Sequence, residues 1–310
     1  MSDFIISLRK KKDQNTFGDQ PAAASFLIIN ETENSISPER TIARSTWLNE
    51  LLKNNPKDLL VFVHGYNDSE FDILDRHRKI KNGLIAQGYA GEVLSFDWPC
   101  GDNALMYLDD RHRADKTAVS LVRDCITALT SAQQKGCTAN IHLLAHSTGA
   151  YIVRQAFIYA DITPDLTRFN WSVSQIMFVS GDVSRESLSP AQDRVNSLYT
   201  HCLRFTNYFN PFDSILAISN AKRLGFSPRV GRVGLPDDAG PKTGDVNCGN
   251  YYNSIPDKKG EAFCHSWYFD DKLFMQDLFL TITAEIDRNY LPTRKRGSDL
   301  KLELVASFSL

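Results

Sequence analysis

Residues 145–149 read Ala-His-Ser-Thr-Gly, at the end of the apolar run "IHLLA" and the start of the helically spaced "YIVRQAF". A chain that reverses from a buried strand into a helix within one residue holds that residue in a strained backbone. Small side chains two positions away on either side, here Ala145 and Gly149, relieve the crowding. The hydroxyl of Ser147 is then lifted clear of the strand, over a helix amino terminus that favours negative charge. That is the placement of a nucleophile, although a serine at this point also suits a plain helix N-cap. The nucleophilic use demands partners: a base to take the hydroxyl proton, an acid to orient the base, and two amides for a tetrahedral oxyanion.

The stretch "VFVHGYN" (61–67) is a second buried run entering a glycine turn. It supplies the backbone amide of Tyr66, which pairs with that of Thr148 as the oxyanion donors; losing one such donor costs about 10²–10³ in rate. His64 reads as a brace for this loop rather than as a base. Among the seven histidines, His77 and His112 fall in charged helical surroundings, His142 and His201 in or beside strands, and His146 within the elbow itself. His265, in "FCHSWYFDD", sits among aromatic residues ahead of an amphipathic run, and is the candidate base. For the acid, Asp213 in "NPFDSILAIS" and Asp182 in "FVSGDVSRE" each stand just past a strand end, and each could simply cap a helix. The chain order Ser, Asp, His favours Asp213, with Asp182 as the alternative.

These groups must be positioned by a sheet. Short apolar runs at 25–30, 59–66, 92–98, 141–147, 175–183, 202–209 and 246–252 read as strands, several apolar throughout as strands covered on both faces are. Amphipathic segments near 43–54, 69–86, 114–131, 149–160, 188–198, 212–222 and 270–288 read as helices. Alternation of strand and helix implies a mostly parallel sheet wound on both sides, whose functional groups collect at the carboxyl edge. Residues 224–262, rich in Gly, Pro, Asp and Asn, read as an irregular excursion that could cover the site, and the tail 300–310 as an added edge strand. No linker divides the chain, so 1–310 is expected to be a single domain.

Taken together, "VFVHGYN", "SFDWPCGDNALMYLDDRHRA", "IHLLAHSTGAYIVRQA", "NPFDSILAIS" and "CHSWYFDD" resemble the α/β-hydrolases, and within them a bacterial branch catalogued as a domain of unknown function, akin to serine esterases and lipases. The likeness spans roughly 58–285. It implies a sheet of about eight strands, a Ser147–Asp213–His265 triad and hydrolysis of an ester-like bond, with thioester cleavage, acyl transfer or a catalytically silent binding module as alternatives. Ala145 stands where the family's elbow has its first glycine; alanine also fits that position. Tyr66, Trp98, Tyr107, Phe212 and Trp267 are candidates to line an apolar acyl pocket.

Composition narrows the partners. With 42% apolar and 23% charged residues and a net charge of -2, the chain has no field to gather phosphates, and the clusters "LRKKK" and "TRKRG" read as solvated ends. Nucleic-acid binding is therefore not expected, and no apolar run is long enough to span a bilayer. The six cysteines form no CxxC pair, and Cys248, Cys264 and His265 match no zinc spacing, so no metal is expected. No glycine-rich nucleotide loop occurs in a strand-to-helix turn, so no cofactor is expected either. The amino terminus places its cations after the apolar run, unlike an export signal, which makes the cytoplasm the expected location. The expected partner is a small-molecule ester or acyl substrate; oligomeric state is not legible.

Overall fold

A computed structural model describes residues 2–66, 68–100, 115–134, 138–164, 171–222, 227–258, 260, 262–297 and 301–306. Its frame is an 11-stranded sheet: β1 (Ser2–Lys11), β2 (Phe17–Asn30), β3 (Thr41–Ile42), β4 (Asp58–Val63), β5 (Glu92–Asp97), β6 (Asn140–His146), β7 (Val173–Val179), β8 (Cys202–Phe209), β9 (Thr243–Asn247), β10 (Arg294–Arg296) and β11 (Leu302–Leu304). Their spatial order is β10-β11-β9-β8-β7-β6-β4-β5-β1-β2-β3. Every neighbouring pair from β1 to β11 through β5, β4, β6, β7, β8 and β9 is parallel, while β2, β3 and β10 add antiparallel pairings at the two margins. The expected parallel sheet is present, and the extra strands lie at its margins.

The side-chain alternation of a strand divides the core into two layers. In β4, Leu59, Val61 and Val63 face a cluster with Trp47 and Leu51 of α1 (Arg44–Leu52), Leu121 and Cys125 of α3 (115–134), and Ile152 and Ala156 of α4 (Thr148–Ile162). Leu60 and Phe62 face Ile80 and Leu84 of α2 (Glu70–Ile85) and Phe274 and Leu278 of α7 (Lys272–Thr283). Helices therefore cover both faces. Residues 121–126 of α3 form a π-helical turn.

Three expectations are corrected. The amino-terminal segment is an interior strand: Asp3 to Arg9 are buried, and β1 pairs with β5 on one side and β2 on the other, while Lys10 to Lys12 are exposed, as expected of a solvated end. Arg9 of "LRKKK" and Arg294 of "TRKRG" are buried because each meets a buried carboxylate, Asp97 at 2.8 Å and Asp277 at 2.6 Å. The strand expected at 246–252 is β9, ending at Asn247; there the Asn247 side chain accepts the Gly249 amide at 2.8 Å and the chain turns into a helix, Gly249–Ser254. The excursion 224–262 thus contributes a sheet strand and two short helices among its described residues. In the tail, β11 lies one strand in from the margin.

Register brings the strand ends level. Val63 pairs with both Ala145 and Phe96, Ser7 with Asp97, and His146 with Val179. The residues that follow β4, β5, β6 and β7 therefore emerge along one edge.

Candidate active site

At that edge β6 ends at His146 and α4 begins at Thr148, leaving Ser147 alone to make the reversal at φ 53° and ψ -122°. A non-glycine residue at such an angle carries strain on the order of 1–3 kcal/mol and persists only where its surroundings hold it. Here the Ser147 amide donates to the Val179 oxygen at 3.1 Å, and its carbonyl accepts from Asp182 at 2.9 Å and Ala150 at 3.1 Å. Gly149 lets the helix pass over β4: a Cβ there would lie 2.3 Å from the Val63 oxygen and 2.6 Å from that of His64. The small residue two positions after Ser147 thus has a steric cause.

β8 ends at Phe209, and Asn210 to Asp213 turn the chain into α5 (Ser214–Lys222). Asp213 is fully buried and does two things at once. Its Oδ1 accepts the Leu216 amide at 3.0 Å, closing the first turn of α5, and its Oδ2 lies 2.7 Å from Nδ1 of His265, where the ring donates to the carboxylate. One side chain thus caps a helix and contacts an imidazole. His265 sits on the four-residue helix α6 (Phe263–Ser266). Asn210, fully buried, ties the two segments by donating from Nδ2 to the Cys264 oxygen at 2.9 Å while its Oδ1 accepts the Phe212 amide at 3.1 Å.

The turn after β4 lies against the elbow. A Cβ on Gly65 would stand 3.0 Å from the Cβ of Ser147, so the segment carrying Tyr66 directly abuts Ser147. A buried polar cluster holds this turn. His64 accepts the Trp98 amide at Nε2 (3.1 Å) and contacts the Gly65 oxygen through Nδ1 (2.8 Å). Asp68 pairs with Arg76. Arg9 reaches in from β1, with Nε on Asp97 at 2.8 Å and Nη2 on the Asp68 oxygen at 3.1 Å. Burial opposes ionisation of Asp97, but Arg9 and His64 outweigh it and hold its carboxyl well below the usual range.

The other candidates fall as follows. Asp182 is buried with its carboxylate 3.2 Å from Arg229, and its amide donates to the Ser147 oxygen at 2.9 Å. Trp98 and Trp267 are core residues: Trp98 donates from Nε1 to the His64 oxygen at 3.0 Å and stacks on the His64 ring, while Trp267 stacks on Tyr268 with centroids 4.1 Å apart. Phe212 is 51% exposed, beside Tyr252. Tyr107 lies outside the described residues. Among the described residues, no cluster of three or more His, Cys, Asp or Glu side chains is placed to hold a metal ion, and no helix is long and apolar enough to cross a membrane.

The profile of a family described as "Alpha/beta hydrolase of unknown function (DUF900)" matches residues 40–236, more than half of the chain. The matched segment contains Ser147 and Asp213 and ends before His265; β1 and β2 precede it. No curated protein matches the sequence. Among solved structures, esterase B from Lactobacillus rhamnosis is similar at 11% identity over 92% of this chain and 87% of that one, with a TM-score of 0.42. A dienelactone hydrolase from Anabaena variabilis is similar at 19% identity over 55% and 69%, TM-score 0.34. An acetylxylan esterase is similar at 12% identity over 74% and 98%, TM-score 0.37.

Proposed function

The chain belongs to a family of α/β-hydrolases of unknown function, and from that premise we propose that it is a serine hydrolase cleaving carboxylic esters, with Ser147 as nucleophile, His265 as base and Asp213 as orienting acid. The observation that carries this reading is the 2.7 Å contact between His265 Nδ1 and Asp213 Oδ2, on a segment bonded to His146, the residue beside the strained Ser147.

With Nδ1–H held by Asp213, the lone pair of the neutral imidazole is at Nε2, free in chemical terms to take the Ser147 proton as Oγ attacks the ester carbonyl. The tetrahedral oxyanion that forms is stabilised by the amides of Thr148 and Tyr66, on the two segments that meet at Gly65 and Ser147. The imidazolium returns its proton to the leaving alkoxide, giving an alcohol and an acyl-enzyme. Water, deprotonated by the same imidazole, then releases the carboxylic acid. Exposed Phe212, next to Asp213, offers an apolar surface for the acyl or alkyl group.

The test is hydrolysis of p-nitrophenyl butyrate by the purified protein beside His265→Ala. Turnover in the wild type that falls at least about 10³-fold in a folded variant supports the assignment; equal rates overturn it.

A further inference from the structure

His146 has no part in the chemistry proposed above, yet its side chain touches three segments of the site. It is 2% exposed. Its Nε2 lies 2.9 Å from the main-chain oxygen of His265. A carbonyl only accepts, so Nε2 carries the hydrogen and Nδ1 the lone pair. Nδ1 is buried without a hydrogen-bond partner and faces the turn after β4, where a Cβ on Gly65 would come within 3.1 Å of it. The ring centroids of His146 and His265 are 4.7 Å apart, and the ring of Phe269 meets His146 edge-on at 5.0 Å. The elbow, the Gly65 turn and α6 thus converge on one imidazole.

Such a contact matters because of the element that carries His265. A helix of four residues has no stability of its own. Asp213 fixes the imidazole end of His265, but its main chain must be placed by neighbours. Among the described residues, Asn210 does this through the Cys264 oxygen, and His146 through the oxygen of His265 itself. The second bond is the more direct, since His146 is covalently joined to Ser147 and any shift of the elbow is passed to α6. His146 is also suited to a constant role. Burial, with the neighbouring His265 and Arg76, holds its pKa well below that of an ordinary imidazole, outweighing the hydrogen bond to the His265 carbonyl and the charge of Asp68, which act the other way, so the ring stays neutral.

We propose that His146 is a positioning residue, whose Nε2–H bond to the His265 carbonyl sets the distance between the imidazole of His265 and the hydroxyl of Ser147. The proposal rests on the serine-hydrolase reading for its kinetic consequence, but the bond itself can be tested separately.

Two variants divide the donor from the volume: His146→Gln retains an N–H at similar reach, and His146→Met fills the space without one. Three readouts are taken: kcat and KM on p-nitrophenyl butyrate, the low-field proton resonance of the His265–Asp213 hydrogen bond, and the ¹⁵N tautomer state of His146 in the unaltered protein. The expected result is a kcat about 10–100-fold lower in His146→Met with KM within about twofold. The low-field resonance should be broadened or lost in that variant, and both properties largely restored in His146→Gln. A His146→Met protein with normal kcat and resonance, or an equal fall in both variants, overturns the proposal. So does a wild-type tautomer with the proton on Nδ1, which needs no variant to fold. A wild type inert towards esters whose low-field resonance still follows the Met and Gln pattern would sink the hydrolase reading and uphold the positioning bond.

Discussion

Asp213 shares its two carboxylate oxygens between His265, at 2.7 Å from Nδ1, and the amide of Leu216, at 3.0 Å. A side chain placed by the local need to start a helix thereby also orients an imidazole from a separate segment. The coupling explains how an acid held in complete burial can be aimed so tightly: the cap fixes one oxygen, leaving the other a single direction.

Replacing that carboxylate separates the two candidate acids. Asp213→Asn keeps an oxygen for Leu216 but loses the charge facing His265, and turnover on a p-nitrophenyl ester should fall on the order of 10⁴-fold. Asp182→Asn weakens the contact with Arg229 and should lower the melting temperature while leaving kcat within about tenfold. Steady-state kinetics with thermal unfolding on both variants decides it. If Asp182→Asn alone abolishes turnover, the acid has been misassigned.

The amino-terminal strand should be indispensable to stability. Arg9→Met leaves Asp97 buried, its side chain 0% exposed, without its cation, at a cost of about 3–5 kcal/mol. Adding Asp97→Asn removes the stranded charge and should recover part of the loss. Urea unfolding of the two variants gives the values, and an Arg9→Met protein within about 1 kcal/mol of the wild type would show the pair to be dispensable.

Stability should also depend on His146 through pH. The folded protein keeps this ring neutral, whereas the unfolded chain protonates it near pH 6.5. Its contribution is therefore whole above about pH 6.5 and declines as pH falls below that, by up to about 1.4 kcal/mol per pH unit for one proton. His77, also lowered by burial, adds in the same sense. His64 acts oppositely, since Asp68 and Asp97 raise its pKa in spite of full burial. The informative comparison is thus between the wild type and His146→Gln, measured as unfolding free energy at pH 7.5 and 5.5. The variant should lose less stability on acidification, and parallel pH curves would contradict the expectation.

Much of the sheet was readable because strands buried on both faces leave continuous apolar runs, as "LLVFV" and "IHLLA" do. β1 is hard to read because it ends in three cations, of which Lys10 and Lys11 are exposed; the buried carboxylate of Asp97, contributed from β5, reveals why Arg9 is inside. The end of β9 is not legible in the sequence because Tyr251 and Tyr252 favour a strand, while the turn made by the Asn247 side chain takes precedence. In the site, the elbow is legible from Ala145, Ser147 and Gly149, of which Gly149 answers a local steric demand. Asn210 and His146 were not singled out, since each acts on a main-chain oxygen of α6, and a partner of that kind leaves no mark in sequence spacing. The "NP" turn before Asp213 was the one available hint for Asn210.

The central claim is that the hydroxyl at position 147 is an activated nucleophile, and a fluorophosphonate probe reads this most directly. Intact-mass analysis after treatment should show the wild type gaining one adduct, mapped by peptide sequencing to Ser147, with none on a folded Ser147→Ala variant. An adduct that persists in Ser147→Ala, or a wild type that stays unlabelled while correctly folded, would contradict it.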